Sequence, residues 1–208
     1  MTSAADGTIA IGHQAGYALT TGVQNTVIGY EAMKTGNNIQ YNTVIGYQAW
    51  TLAPAGANHN VVIGAGAGAG VSANSDSNVI IGSAAGTGGG ASLMGVIAIG
   101  NNALNSTAAT AHTGTIAIGH DALTAVNSAD ASGTIAIGYE AGKAITSGQY
   151  NTVMGYQAGA TMTTANSNVI IGYSAGNDTA GNNAVIIGSY AGDDNSPSNS
   201  VIIGYQAG

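Results

Sequence analysis

An Ile-Gly dipeptide, once Met-Gly, recurs twelve times along the 208 residues. Its glycines are Gly12, Gly29, Gly46, Gly64, Gly82, Gly100, Gly119, Gly138, Gly155, Gly172, Gly188 and Gly204. The intervals are 17, 17, 18, 18, 18, 19, 19, 17, 17, 16 and 16 residues. Three residues after every glycine stands an alanine: Ala15, Ala32, Ala49, Ala67, Ala85, Ala103, Ala122, Ala141, Ala158, Ala175, Ala191 and Ala207. Three residues before it the side chain is always β-branched, from Ile9, Thr26 and Thr43 through to Val201. Two before it stands Ala, Val or Ile, and one before it Ile in eleven copies and Met154 in the other. The unit from four residues before the glycine to four after is constant in length. The connections vary from 7 to 10 residues and hold the Ser, Asn, Asp and Thr clusters with Pro54 and Pro197, as surface turns do.

A β-branched strand plus a variable polar turn at this period predicts an all-β fold. The expected architecture is a parallel β-solenoid of about twelve coils of 16–19 residues, a single repeat domain over residues 1–208 without separate caps. Helical repeats are longer, about 33 to 47 residues, and recurrent glycine would cost each helix about 1 kcal/mol apiece. The repeat glycine is expected to turn the chain from a first short strand into a second, where positive φ or a missing side chain is needed. The alanine fits where the coil is too narrow for more. At about 4.8 Å per coil the rod would be roughly 55–60 Å long.

In Val79-Ile80-Ile81, Val185-Ile186-Ile187 and Val201-Ile202-Ile203 both faces of the strand are apolar, as in a strand buried on both sides. One face can fill the coil; the other calls for a cover, most simply another chain. The uncapped ends expose strand edges. Self-association, as a homotrimer or end to end, is therefore expected.

Composition excludes several functions. Lys34 and Lys143 are the only basic residues apart from four histidines, against nine acids and a net charge of −7. No nucleic-acid interface can be built from two lysines. No apolar run reaches the roughly 18 residues of a membrane-spanning helix, and no signal peptide is visible. Without cysteine there are no disulfides or thiolate sites.

Candidate chemistry is sparse. His13 and His120 directly follow repeat glycines but lie six coils apart, while His59 and His112 fall in predicted turns, so three or four converging zinc ligands are not expected. Asp193-Asp194-Asn195, Asn177-Asp178 and Asp76 read as turn formers rather than calcium ligands. Gly64 to Gly70 alternates Gly and Ala, which suggests close packing and not a phosphate cradle, since no helix or Gly-Lys-Ser/Thr follows. Gly86 to Gly90 reads as a turn, and Asn105-Ser-Thr and Asn177-Asp-Thr match the glycosylation sequon at chance level. Glu31 and Glu140 share the position two after the glycine in distant coils, so no catalytic pair is expected; no enzyme activity and no cofactor is predicted. Tyr30, Tyr47, Tyr139, Tyr156, Tyr173 and Tyr205 all directly follow the repeat glycine. They are expected to stack between coils, with an aromatic stripe for a glycan as the functional reading. Trp50 stands alone at four after its glycine.

Asn-Thr-Val-Ile-Gly-Tyr-Gln-Ala (42–49), Gly-Thr-Ile-Ala-Ile-Gly-Tyr-Glu-Ala-Gly (133–142) and Ser-Val-Ile-Ile-Gly-Tyr-Gln-Ala-Gly (200–208) resemble two related repeat groups. These are the Ile-Gly-Tyr-Gln-Ala-Gly repeats of phage tail fibres and the YadA-like head repeats of trimeric autotransporter adhesins. The resemblance implies a left-handed β-roll, a homotrimer and a role in attachment to a host or surface. It also implies a location outside the cell or on a virion, with a cell-surface glycan or receptor as partner. No coiled-coil stalk or membrane-anchor barrel accompanies the repeats, which favours the phage-fibre variant. Two other functions fit a β-rod: a self-assembling extracellular filament subunit, and an ice-binding solenoid.

Overall fold

A computed structural model of the protein describes residues 6–71, 75–88, 92–105, 111–126, 131–177, 181–193 and 197–208. Fourteen short strands are described: β1 (Ile9–Ile11), β2 (Thr26–Ile28), β3 (Thr43–Ile45), β4 (Val61–Ile63), β5 (Val79–Ile81), β6 (Leu93–Met94), β7 (Ile97–Ile99), β8 (His112–Thr113), β9 (Ile116–Ile118), β10 (Ile135–Ile137), β11 (Thr152–Met154), β12 (Val169–Ile171), β13 (Val185–Ile187) and β14 (Val201–Ile203). All but β6 and β8 form one twelve-stranded parallel sheet, ordered as in the chain. The fold is the all-β parallel solenoid expected from the repeat, with one strand per repeat. Register never slips: Ile9 lies opposite Thr26, Thr26 opposite Thr43, and so on to Val185 opposite Val201. The extra residues of the longer repeats leave this sheet untouched. Leu93–Met94 and His112–Thr113, from the connections before two of the repeats, pair in parallel as a second small sheet.

Each strand alternates as a pleat requires. The middle residue points into the coil: Val27, Val44, Val62, Ile80, Ala98, Ala117, Ala136, Val153, Ile170 and Ile186 are at most 2% exposed. The flanking residues face outward and, apart from the more exposed Met154, are half-buried by the coils above and below. Ile9, Ile11, Val201 and Ile203, in the first and last coils, are more than half exposed. The chain by itself thus encloses one face of its apolar strand.

The segment after the glycine is not the second strand that the repeat suggested. The residues three and four positions on are both buried, as in Ala32-Met33, Ala49-Trp50 and Ala122-Leu123, which a period of two forbids. The backbone instead takes positive φ at the second and fourth residues after every repeat glycine, for example Glu31 (52°) and Met33 (47°). Hydrogen bonds then alternate between neighbours. The N–H of Glu31 donates backward to His13 O (2.8 Å), and that of Met33 forward to Ala49 O (2.9 Å). A turn can therefore stack as regularly as a strand.

The repeat glycine itself is required twice over. Gly100 has φ 133°, and a Cβ there would sit 2.5 Å from Gly119 O in the next coil; equivalent contacts recur at every repeat glycine but Gly204. In several coils core volume is shared between the fourth and seventh positions after it, although Leu123 and Val126 fill both in the coil of Gly119. Gly142 leaves room for Ile145 and Leu123, whose side-chain carbons a Cβ would meet at 2.8 and 3.1 Å. Met33 and Trp50 are instead followed at the seventh position by Gly36 and Ala53. Trp50 is an interior residue, 1% exposed. In the Gly64–Gly70 run, Gly68 packs beside Trp50 and Gly70 against the Gly88 backbone, so the close approach enabled by small residues is between coils of one chain.

A buried amide ladder occupies the position before the strand in six of the repeats. Asn25, Asn42, Asn60 and Asn78 are each 1% exposed. The Asn60 side-chain Nδ2 donates to Asn42 Oδ1 (3.0 Å), Asn58 O and Ser75 O (both 2.9 Å). Its Oδ1 accepts from Asn78 N (3.0 Å) and Asn78 Nδ2 (2.8 Å). Asn151 and Asn168 repeat the link, Asn168 Nδ2 donating to Asn151 Oδ1 at 3.1 Å. Burial is tolerated because every donor and acceptor has a partner.

Candidate interaction surface

Three columns of outward side chains run side by side along the rod. Two are the strand flanks, one β-branched throughout and one Ile except at Met154. The third is the residue after each repeat glycine, where the turn swings the side chain outward. Parallel register places like residues over one another, so this column becomes aromatic stacks. His13 lies on Tyr30 with ring centroids 5.1 Å apart and planes 14° apart, and Tyr30 on Tyr47 at 5.3 Å and 11°. A second stack runs His120, Tyr139, Tyr156 and Tyr173, at 5.3, 4.9 and 5.3 Å with planes within 16°. Tyr190, one residue further from its glycine, meets Tyr173 edge-on at 69°. Between the stacks the column narrows to Ala65, Ser83 and Asn101.

Five of the six expected tyrosines are thus brought together in stacks that two histidines extend, whereas Tyr205, whose neighbour in the column is Ser189, has no ring stacked on it among the described residues. Stacking occupies the ring faces inside each ladder and turns ring edges and hydroxyls to solvent. A glycan laid flat on an aromatic face would find that face taken, except at the ends of a stack.

Both lysines join this surface, a feature hidden in the sequence because the partner lies partly in the next coil. Lys34 Nζ contacts Glu31 Oε1 at 2.8 Å, and Gln48 Nε2 donates to Glu31 Oε2 at 3.0 Å. Six coils on, Lys143 Nζ contacts Glu140 Oε1 at 2.7 Å and Gln157 Nε2 donates to Glu140 Oε2 at 2.8 Å. Hydrogen bonds from lysine, then glutamine, hold both carboxyls below their ordinary range, and the same bonds raise the lysines. The charge of Glu140 raises the Tyr139 hydroxyl. A hydrogen bond with Tyr173 does most to raise that of Tyr190.

The remaining histidines separate. His59 stacks on Tyr41 at 5.0 Å. His112 is not in a turn: it forms β8 and is 1% exposed, and burial lowers its pKa. Among the described residues no three His, Asp or Glu side chains gather as metal ligands, and no helix is long and apolar enough to cross a membrane. Asp76 accepts the Asn58 backbone N–H at 2.6 Å, a turn role. Asp194-Asn195, Gly89-Gly90, Ser106-Thr107 of the first sequon and Asp178-Thr179 of the second lie outside the described residues. Concavities of about 240 and 190 Å³ lie at the two ends of the rod, beside Gly7 and Tyr41 and beside Tyr190 and Gln206.

No protein-family model, curated protein or solved structure matches the chain.

Proposed function

We propose that the protein is a structural and attachment segment of an extracellular fibre, of the phage tail-fibre or surface-adhesin kind. Three chains pack their strand-flank columns together, and the variable turns on the far side meet the receptor. The observation that carries this reading is the unbroken register of twelve strands, which lines up an Ile/Met column and a β-branched column, apolar except at Thr26, Thr43 and Thr152, along the whole rod. Contiguous outward apolar columns of this kind mark association surfaces. A stack of hydrogen-bonded coils also makes a stiff spacer whose length changes by whole repeats. Turns carry the variable sequence and are free to change without disturbing the ladder. With two lysines and nine acids, association rests on apolar burial and is insensitive to salt.

Light scattering over a dilution series tests the assembly. A constant mass of three chains is expected. A mass that climbs with concentration favours an end-stacking filament instead. A single-chain mass at all concentrations overturns the trimeric fibre and turns attention to an ice-binding solenoid, read out as thermal hysteresis.

A further inference from the structure

We propose that the stacked tyrosines are oxidative cross-linking sites. One-electron oxidation joins neighbouring coils of the same chain through dityrosine bonds: Tyr30 to Tyr47, and Tyr156 to Tyr139 or Tyr173. The ring planes of these pairs lie within 11° of parallel at 4.9–5.3 Å, so equivalent ortho carbons face one another. The rings are 40–57% exposed, open to a dissolved oxidant. Reactants held at this separation combine at effective concentrations far above those of free chains.

The chemistry balances with two equivalents of a one-electron oxidant. Each phenol gives up one electron and its hydroxyl proton, leaving a phenoxyl radical whose unpaired spin extends to the ortho carbons. Two such carbons form a carbon–carbon bond, and each ring regains its hydroxyl hydrogen as the ortho hydrogen moves to oxygen. The pair loses two hydrogen atoms in total, as two protons and two electrons. The Tyr139–Tyr156 bond closes a 17-residue interval and restricts the unfolded chain as a disulfide would. In a chain without cysteine, that staple is otherwise missing.

Exposure and stacking can be separated within the molecule. Tyr17, Tyr41 and Tyr150 are 70%, 48% and 65% exposed, yet no tyrosine stacks on them; Tyr41 has His59.

The full chain is illuminated briefly with ruthenium tris-bipyridyl and persulfate, then digested and mapped by mass spectrometry. The expected products carry dityrosine fluorescence, lack two hydrogens per bond, and link Tyr30 to Tyr47, Tyr139 to Tyr156 and Tyr156 to Tyr173 within one chain. Tyr156→Phe keeps the ring in the stack but removes its phenol; it should abolish both bonds in the second ladder and leave Tyr30–Tyr47 unchanged. The proposal is overturned if no dityrosine forms, or if the bonds run mainly between chains or through Tyr17, Tyr41 and Tyr150. Bonds at Tyr139 and Tyr173 that survive Tyr156→Phe in equal yield would overturn it as well.

Discussion

At Gly100 two demands coincide: a left-handed φ of 133° and a gap too small for a methyl group beneath Gly119 O. Gly100→Ala is therefore expected to cost about 3 kcal/mol or more. Gly204 has a similar φ of 138°, but a Cβ there would meet only Ala207 Cβ at 3.5 Å. Gly204→Ala should cost about 1–2 kcal/mol, and equal losses in urea unfolding would refute the close-approach account. Asn60 is the second sensitive residue. Asn60→Ala leaves Ser75 O and both donors of Asn78 short of a buried partner, for an expected loss of about 3 kcal/mol. Protonation acts through Glu31, Glu140 and His112. All three have folded pKa values below their ordinary ones of 4.5, 4.5 and 6.5, so the unfolded chain binds protons first as pH falls. Their contributions are present above those ordinary values and are lost on acidification through the folded ones. Stability should begin to decline below about pH 6.5 through His112 and decline further below about 4.5 through the carboxyls. His112→Leu should flatten the first step of a pH series of melts and Glu140→Gln reduce the second.

At the scale of the coil, what repeats is a strand, a stacked turn and a variable connection. Because every column is in register, cutting between equivalent positions removes a whole layer. Deleting residues 139–155 joins Gly138 to Tyr156, replacing one tyrosine column position with the next. The shortened protein should fold with unchanged circular dichroism per residue and a rod about 4.8 Å shorter. Deleting eight residues from the same place shifts the glycine and alanine columns and should abolish cooperative unfolding. If both deletions behave alike, registry is not what holds the coils together.

For the whole rod, the surface that the proposed trimer would bury is the pair of strand-flank columns. Ile45 and Ile171 belong to them and are half-buried within their own chain, so a charge there reaches water in the monomer but not in a trimer. Ile171→Lys should lower the light-scattering mass from three chains to one while leaving circular dichroism unchanged. An unaltered trimer would place the chain–chain contact elsewhere.

Much of the architecture was legible because the repeat acts at short range. A glycine, an alanine and a β-branched residue at fixed spacing dictate a strand, a turn and a narrow interior, and stacking carries those choices from coil to coil. Tyrosine stacking followed from the same spacing. The turn after the glycine reads as a strand in the sequence alone because pairs such as Ala32-Met33 and Ala122-Leu123 carry no turn signal of their own. The positive φ values at positions such as Glu31 and Met33 go with hydrogen bonds to the coils before and after, 15 to 20 residues away. Partners at that distance also hid the asparagine ladder, the tie of Glu31 to Gln48 and the burial of His112. The period and the inward column can be read off the chain, since these are matters of local sterics and hydrophobicity. Which polar groups meet emerges only on folding, because a hydrogen bond needs two partners placed by different coils.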